Sequence, residues 1–384
     1  MTFGRFFITI ISGAVMALGI ITGCNRQKRD NNLPLISQFV VDSVYMPIAL
    51  SDHFKLRVKE VQSRSATDEI VFFVKNNNYS AYFYNMSNSR RVGDTFSLVK
   101  YANEYKDSYP LGIDSFMVEL EKQLLVISKN RIKKWDVSPI TRQISPFAFV
   151  GYLSMESMHV FGDTVACITS TEETQEKIGP NAPFLKANYD ILIKLLPDTA
   201  ILLAKHSPNP PYFYKQDYNC NPERVYMNSR QIVYCYSYSD TLVMVNPFNQ
   251  TEKRVRLRTS YFSPNVPFDY SRESDFKYID SFYLEQSMMT HLFYDKARHR
   301  IYVFLKHKGK HIEESGKKNE MEDLPHSLFV LDEQLHQLKE IYIPPGRFGP
   351  VYRAFVTHKG LYLPAARPQQ KNYDKTLFYR IVIP

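Results

Sequence analysis

The sequence lacks the short motifs by which most catalytic and metal-binding proteins are recognised. It contains no GxSxG elbow, Walker loop, GxGxxG, HExxH or EF-hand loop. Among 384 residues there are only four cysteines, and no two are spaced as a CxxC pair, which excludes zinc-ribbon and thioredoxin-type motifs. The sequence therefore predicts no catalytic residue, no metal ligand and no cofactor.

Tryptophan and clustered charge are also scarce. There is one Trp against 27 Tyr and 26 Phe, and Tyr and Phe favour strands. The net charge of +9 is spread along the chain. Because no basic cluster alternates with aromatic residues, a nucleic-acid partner is not expected. With 44% hydrophobic residues, the composition is that of a folded protein with a large core.

One histidine pair has the spacing of helical metal ligands. His307 and His311 are separated by three residues, as HKGKH. They lie in residues 306–326, which are rich in Lys and Glu, so a solvated loop is favoured over a metal site.

Only one stretch is apolar enough to interact with a membrane along its length. Arg5 precedes the apolar residues 6–21, which Thr22 and Gly23 separate from Cys24. The stretch is shorter than the roughly 20 residues that a membrane helix needs. Residues 1–23 are therefore predicted to be an export signal and residues 24–36 a polar tether. The alternative is an uncleaved transmembrane anchor in which Cys24 is incidental.

The residues Ile21, Thr22, Gly23 and Cys24 resemble the bacterial lipobox, in which a cysteine after small residues is lipidated and becomes the mature N-terminus. The sequence departs from that pattern at Ile21, where Leu is usual. The resemblance implies a fatty acyl anchor such as palmitate on Cys24, with the membrane as a partner through that lipid. It also implies a location in the cell envelope, on the outer membrane, with the periplasmic or surface side left open.

A unit of four short apolar runs separated by turn residues recurs along the chain. It is clearest in residues 224–258, where RVYM, QIVYCY, TLVMV and RVRL follow one another. Such runs, bounded by Asn, Asp, Gly and Pro, predict an up-and-down four-stranded sheet. The second run can be followed through six copies at residues 69–74, 123–128, 163–169, 231–236, 300–305 and 360–363.

These repeats predict an all-β fold, a six-bladed β-propeller of four-stranded antiparallel blades. Many second runs are apolar without alternation, so both faces of each sheet must be covered, and stacking the sheets around an axis does this. The last copy has only three clear runs, and residues 38–45 are predicted to supply the fourth and close the ring. The propeller would span residues 37–384. Seven blades or tandem β-sandwiches are the alternatives.

The lipobox, the length and the six loosely spaced blades together resemble a family of uncharacterised Bacteroidetes lipoproteins that are predicted to form TolB-like six-bladed propellers. The resemblance covers the mature chain. It implies a fold and a location, and it transfers no active site.

Two cysteines could form a disulfide. Cys235 lies on the second run of its unit, and Cys220 lies just before the first run of the same unit. An exported protein is in a compartment where disulfides form, provided that the strand geometry brings the two Cα atoms within about 7 Å. The alternative is a buried Cys235 and a loop Cys220. Cys167 is interpreted as a core residue.

The long connections are expected on one face of the propeller. Residues 170–188, 206–223, 260–289 and 306–326 all link second to third runs, or one unit to the next. Long loops on a rigid scaffold are where binding residues concentrate. Two of them carry the candidate ligand-binding residues Tyr212, Phe213, Tyr214, Tyr218, Tyr261, Phe262 and Tyr270. These rings either form a binding surface for a protein, peptide or glycan, or pack the loops against the rim.

The sequence supports two hypotheses of function. The first is a non-enzymatic binding or scaffold propeller held to the membrane by a lipid. The second is a propeller hydrolase or lyase with a metal ion in the central channel. The innermost strands offer His159, Tyr226, His291 and Tyr352 and few carboxylates, which disfavours the second.

Overall fold

The part of the chain that the structure describes is mainly β-strand, joined by turns and loops. The structure is a computed structural model. It describes residues 33–46, 59–61, 70–75, 80–86, 88, 90–112, 115–128, 131–144, 148–150, 158–171, 189–208, 222–263, 266, 268–272, 274–366 and 375–384. Two α-helices occur in these residues, α1 (Ser138–Thr141) and α2 (Phe276–Glu285), and neither has the length and apolarity to cross a membrane.

Six antiparallel sheets account for all the strands in the described residues. The strands are β1 (Val40–Met46), β2 (Lys59–Val61), β3 (Ile70–Lys75), β4 (Ser80–Asn85), β5 (Arg90–Ser97), β6 (Tyr105–Gly112), β7 (Ser115–Leu120), β8 (Gln123–Ser128), β9 (Arg131–Asp136), β10 (Ala148–Val150), β11 (Met158–Phe161), β12 (Thr164–Thr171), β13 (Tyr189–Leu195), β14 (Ala200–His206), β15 (Glu223–Asn228), β16 (Gln231–Cys235), β17 (Thr241–Asn246), β18 (Thr251–Arg256), β19 (Met288–Asp295), β20 (Arg300–Lys306), β21 (His326–Asp332), β22 (Gln337–Ile343), β23 (Phe355–Thr357), β24 (Gly360–Pro364) and β25 (Thr376–Ile381).

The sheets are the six predicted blades, and they form a ring. Blades 1 to 5 are β2–β5, β6–β9, β10–β14, β15–β18 and β19–β22, and blade 6 is β23, β24, β25 and β1. Innermost strands of neighbouring blades touch, including β2 with β6, β15 with β19, β19 with β23, and β23 with β2. The six-bladed β-propeller is therefore confirmed, and the alternatives of seven blades or tandem sandwiches are wrong.

The ring closes where the two ends of the folded chain meet. β1 is the outermost strand of blade 6 and pairs antiparallel with β25, with Val44 opposite Phe378. Asp42 and Arg380 add a bidentate ion pair, with N···O distances of 2.8 and 2.6 Å. The predicted closing strand at residues 38–45 is thus confirmed, although the chain forms a 3₁₀ turn at Ile36–Phe39 before the strand begins. Leu35–Pro384 is one compact unit that contains the whole ring.

Blade 2 corrects one detail of the predicted repeat. Residues 123–128 were expected to be the second strand, but they form β8, the third, and the second is β7. The reason lies in β6, whose sequence YKDSYPLG has no apolar run. Because β6 does not stand out as an apolar run, the strand numbers predicted for this blade are one too low. Blade 3 also has an extra strand, because β10 and β11 both pair with β12.

Apolar clusters fill every junction between neighbouring blades. Between blades 4 and 5, for example, Val233 and Cys235 pack with Val303 and Phe329, and all four are buried. Equivalent clusters lie at the other five junctions. Burying each large aliphatic or aromatic side chain contributes about 1.5–3 kcal/mol. The blades are therefore held to one another by the two apolar faces that the sequence predicted.

The connections divide between two faces of the ring. The β12–β13, β14–β15, β18–β19 and β20–β21 connections are long and emerge on one face, here called the long-loop face. The β15–β16, β17–β18 and β21–β22 connections are tight turns on the opposite, short-turn face. Asn228, Asn246 and Asp332 fix these turns by accepting backbone N–H groups two residues ahead. The predicted division between long and short connections is confirmed.

Ring closure predicts that β1 is essential for stability. Deleting residues 25–46 should lower the free energy of unfolding by several kcal/mol, because it uncovers the edge of β25 and removes the fully buried Met46 from the core. Deleting only residues 25–32, which precede the closed unit, should change little. Urea unfolding of both truncated proteins measures the difference, and equal midpoints would contradict closure through β1.

Candidate functional site

Several predicted site residues lie outside the described part of the chain. They are Cys24, Tyr212, Phe213, Tyr214, Tyr218 and Cys220. Cys235, the other half of the predicted disulfide, is 1% exposed in the junction between blades 4 and 5. The lipid anchor, the disulfide and the binding role of these four aromatic residues therefore stay predictions.

Tyr261 and Phe262 are built into the rim of the long-loop face. Both are half-buried against the blade 4–5 cluster. The Tyr261 ring stacks on His307 with centroids 3.9 Å apart and 12° between the planes. The Tyr261 carbonyl also accepts a hydrogen bond of 2.8 Å from the Ser287 hydroxyl. Tyr270 lies in the 3₁₀ turn Tyr270–Arg272 of the same connection.

Helix α2 lies in the connection between blades 4 and 5 and is fixed at both ends. Asp275 caps its first turn, accepting the backbone N–H groups of Lys277 and Tyr278 at 3.1 Å. At the other end, the Lys306 ammonium is buried and donates to the carbonyl oxygens of Leu284 (3.0 Å) and Gln286 (2.5 Å). The last carbonyls of a helix have no partner within the helix and need an external donor. Lys306, the last residue of β20, therefore ties α2 to blade 5.

The β20–β21 connection packs on α2, and its histidines are not solvated. His307 and His311 are 5% and 6% exposed, so the interpretation of both as solvated loop residues was wrong. His311 Nδ1 lies 2.8 Å from the Ser281 hydroxyl of α2, and Lys318 pairs with Asp280 at 2.8 Å. The two histidines have separate partners and do not converge as ligands. Within the described residues, no three His, Cys, Asp or Glu side chains are arranged to hold a metal ion.

Ser327, His307 and Glu340 lie close together but are not arranged as a hydrolytic triad. The Ser327 hydroxyl donates to Glu340 Oε1 at 2.8 Å. Since its only proton goes to the carboxylate, His307 Nε2, 2.9 Å away, must donate to Ser327 and cannot act as its base. A triad needs the histidine between the serine and the carboxylate. This cluster therefore holds the rim together and does not activate a nucleophile.

The polar cluster between blades 3 and 4 is centred on Asp190, whose carboxylate accepts hydrogen bonds from three protein side chains. Asp190 is 2% exposed and accepts from Arg224 Nη1 at 2.8 Å to both oxygens. The hydroxyls of Tyr226 and Tyr234 donate to the same carboxylate at 2.6 and 2.7 Å. Burial, followed by the charge of Asp190, raises the pKa of both tyrosines. Asp190 and Arg224 therefore form a buried ion pair whose carboxylate is also hydrogen-bonded by both tyrosines, and this cluster joins the two blades.

A cavity of about 170 Å³ lies on the long-loop face between blades 5 and 6. It exists beside β19 because β23, the innermost strand of blade 6, is only three residues long. A 3₁₀ turn at Val351–Arg353 precedes that strand. The cavity is lined largely by apolar side chains. They include Phe304, Met321, Leu324, Ile343, Phe348 and Leu363.

Polar side chains also line the cavity, namely Thr290, Glu322, Tyr352 and two histidines, and both histidines have unused hydrogen-bonding capacity. His326 Nδ1 lies 2.9 Å from the Leu324 carbonyl and must donate to it. Its Nε2 is therefore an acceptor, and among the described residues it has no hydrogen-bond partner. His291 is half-buried, and both of its ring nitrogens are shielded from water with no partner in the described residues. An unsatisfied buried polar group costs about 1–3 kcal/mol.

Both histidines are neutral near pH 7. Burial, reinforced by the neighbouring His326, lowers the pKa of His291 to about 3. Burial also lowers the pKa of His326 to about 4. Sequence reasoning named His291 and Tyr352, both of which line the cavity, as inner-strand residues. It missed His326, whose only signal was a polar residue at the start of an apolar strand.

Comparison with known proteins identifies similar folds. No protein-family model and no curated protein sequence matches the chain. A member of the DUF4221 family from Bacteroides vulgatus has a similar structure, with a TM-score of 0.68 at 13% identity over 90% of this chain and 97% of that one. A calcium-binding regucalcin from Agrobacterium tumefaciens has a TM-score of 0.42 at 9% identity, covering 89% and 94% of the two chains. At these identities the likeness shows the propeller fold alone.

The helix anchor gives a stability prediction. Lys306→Met should lower the free energy of unfolding by about 3 kcal/mol, because it leaves the buried carbonyls of Leu284 and Gln286 without a donor. Lys308→Met, on an exposed neighbour, should change it by less than about 0.5 kcal/mol. Urea unfolding compares the two variants. Equal losses would mean that Lys306 does not hold α2.

The buried histidines predict a loss of stability in mild acid. Burial also lowers the pKa of His307 to about 3, whereas an unfolded histidine titrates near 6.5. The unfolded chain therefore binds more protons, so stability is complete above about pH 6.5 and falls as pH decreases towards 4. Each of the three histidines contributes a slope of up to about 1.4 kcal/mol per pH unit. Lys306, whose pKa burial lowers to about 7, adds slope of the same sign mainly above pH 7 and very little below about pH 6.

Melting temperatures between pH 7 and 4.5 measure this slope. His307→Phe, which can keep the stacking on Tyr261, should flatten the profile. The exposed His336 serves as the control, and His336→Gln should leave the profile as steep as before. If the His307→Phe variant loses stability with decreasing pH as steeply as the wild type, the assignment of this slope to His307 is wrong.

Proposed function

We propose that this protein is a membrane-anchored exported lipoprotein whose propeller acts as a non-enzymatic binding module. Its anchor is a lipid on Cys24 in the outer membrane, and its binding site is the cavity between blades 5 and 6. The predicted binding residues Tyr212, Tyr214 and Tyr261, on long loops of the same face, contact the protein, peptide or glycan that carries the bound group. The observation that carries the proposal is the pairing of a largely apolar cavity with His291, whose two ring nitrogens have no described partner, and with His326, whose Nδ1 is paired with the Leu324 carbonyl and whose Nε2 has no described partner.

Binding is favoured over catalysis by the chemistry of the other polar clusters. The Ser327 proton is committed to Glu340, so no described base activates it. The Asp190 carboxylate is occupied by three donors. Ligand pockets are typically apolar with a few polar groups that fix orientation, and the blade 5–6 cavity fits that description.

The position of the cavity supports binding of an external group. Met321 lines it and is 38% exposed, so the cavity reaches the surface at this residue. The cavity lies on the same face as the long loops, where a rigid scaffold presents its variable segments. A ligand that enters there would meet the loop residues around it.

Selective blocking of the cavity tests the binding role. The protein beginning at Asn25, which contains the whole closed unit, is dialysed to equilibrium against an extract of small molecules and peptides from the envelope of its own cells. Met321→Trp fills the cavity entrance, and Phe248→Trp places the same bulk on an exposed residue of the short-turn face. At least one compound should be enriched by the wild type and Phe248→Trp but not by Met321→Trp, as read by mass spectrometry. No enrichment, or equal enrichment by all three, argues against the proposal.

The anchor is tested in the same cells. Cys24→Ala should abolish incorporation of a labelled fatty acid and release the protein from the membrane fraction or leave an unprocessed precursor. Unchanged labelling of the variant would exclude Cys24 as the lipidated residue.

A further inference from the structure

The blade 5–6 cavity has the size of one aromatic ring. Its volume is about 170 Å³, and an engineered apolar cavity of about 150 Å³ binds benzene. Phe304, Leu324, Phe348 and Leu363 line it and offer contacts to a flat apolar body. A sugar ring carries hydroxyls around its edge, and these would lose their hydrogen bonds to water against these walls.

The hydrogen bond of His326 determines which kind of polar group an aromatic ligand should carry. The donation from Nδ1 to the Leu324 carbonyl at 2.9 Å leaves a lone pair on Nε2. That atom accepts a hydrogen bond from an O–H or N–H group and is repelled by a carboxylate. The ligand group must therefore carry a hydrogen-bond donor.

His291 adds a requirement for an acceptor. Neither of its ring nitrogens has a partner among the described residues, and a neutral imidazole has one N–H and one lone pair. A hydroxyl oxygen that donates to His326 keeps its own lone pairs and so offers an acceptor to the His291 N–H. A hydroxyl suits this pair of histidines better than an ammonium group, which has no lone pair.

We propose that the cavity selects a neutral hydroxyphenyl group, with its ring against the apolar walls and its O–H donating to His326 Nε2. The inference rests on the proposed binding function and names the chemistry of its ligand. The group can belong to a free phenol or to the tyrosine side chain of a peptide, and the two sources share this chemistry.

Ligand-observed NMR titration of the protein beginning at Asn25 tests the chemistry with simple probes. p-Cresol should bind about tenfold more tightly than toluene, which has the same ring and methyl group but no hydroxyl. Benzoate and benzylamine should bind more weakly than p-cresol, because a charge is costly to bury among the largely apolar walls; benzylamine is the probe that would be favoured if Glu322, which also lines the cavity, were the recognising group. N-acetyltyrosinamide identifies the source: binding at least as tight as p-cresol indicates a tyrosine side chain, and much weaker binding indicates a free phenol.

Variants locate the contact. His326→Phe should reduce p-cresol affinity to that of toluene, while Met321→Trp should weaken both probes. His336→Phe, a histidine of the same blade on the short-turn face, should leave the preference intact. Melting temperatures confirm folding. If His326→Phe does not fold, the comparison of p-cresol with toluene on the wild type still decides the question.

The possible failures are distinguishable. Equal affinities for toluene and p-cresol, or tighter binding of benzoate or benzylamine, would overturn the hydroxyphenyl assignment while leaving the cavity as a binding site. If no probe binds the folded wild type, the ligand class is again wrong. The dialysis comparison with Met321→Trp then decides separately whether the cavity binds anything.

Discussion

The need to cover both faces of every blade is the constraint on which this structure depends. The second strands are apolar without alternation, so a single sheet would expose half of its buried side chains to water. Six junction clusters solve this by placing each face against a neighbour. The arrangement works only if the ring is closed, and β1 closes it by pairing with β25 at the other end of the chain.

A closed ring also decides where variation can occur. The strands and tight turns are fixed by packing and by Asn and Asp side chains, so long connections accumulate on one face. They are still ordered by specific contacts where the structure describes them. Lys306 extends from the end of β20 to the carbonyls at the end of α2, and Tyr261 stacks on His307. The cavity lies beside this ordered rim because β23 is too short to fill the space next to β19.

The polar clusters of this propeller differ in whether their hydrogen-bonding groups have partners. Asp190 and Ser327 have partners for the groups that chemistry would need, and these clusters join blades or loops. His291 and His326 differ because ring nitrogens of both are unpaired in the described structure. Since native proteins pair most of their buried polar groups, an unpaired group at a cavity wall is the better indicator of a ligand. Histidine spacing alone pointed instead to His307, which is paired within the rim, and to His311, whose Nδ1 is paired with Ser281 but whose buried Nε2 also has no partner among the described residues and does not line the cavity.

Local patterns in the sequence determined the six blades, the closing strand and the face that carries the long loops. Apolar runs and turn residues act over a few positions, so they could be read without the fold; they failed in blade 2, where β6 has no apolar run, and they missed the extra strand β10 of blade 3. The cavity was decided by the tertiary structure alone. His291 and His326 come from different strands, and the short β23 that leaves space beside them belongs to another blade. Whether a polar atom finds a partner depends on groups that are distant in sequence and adjacent only in the folded ring.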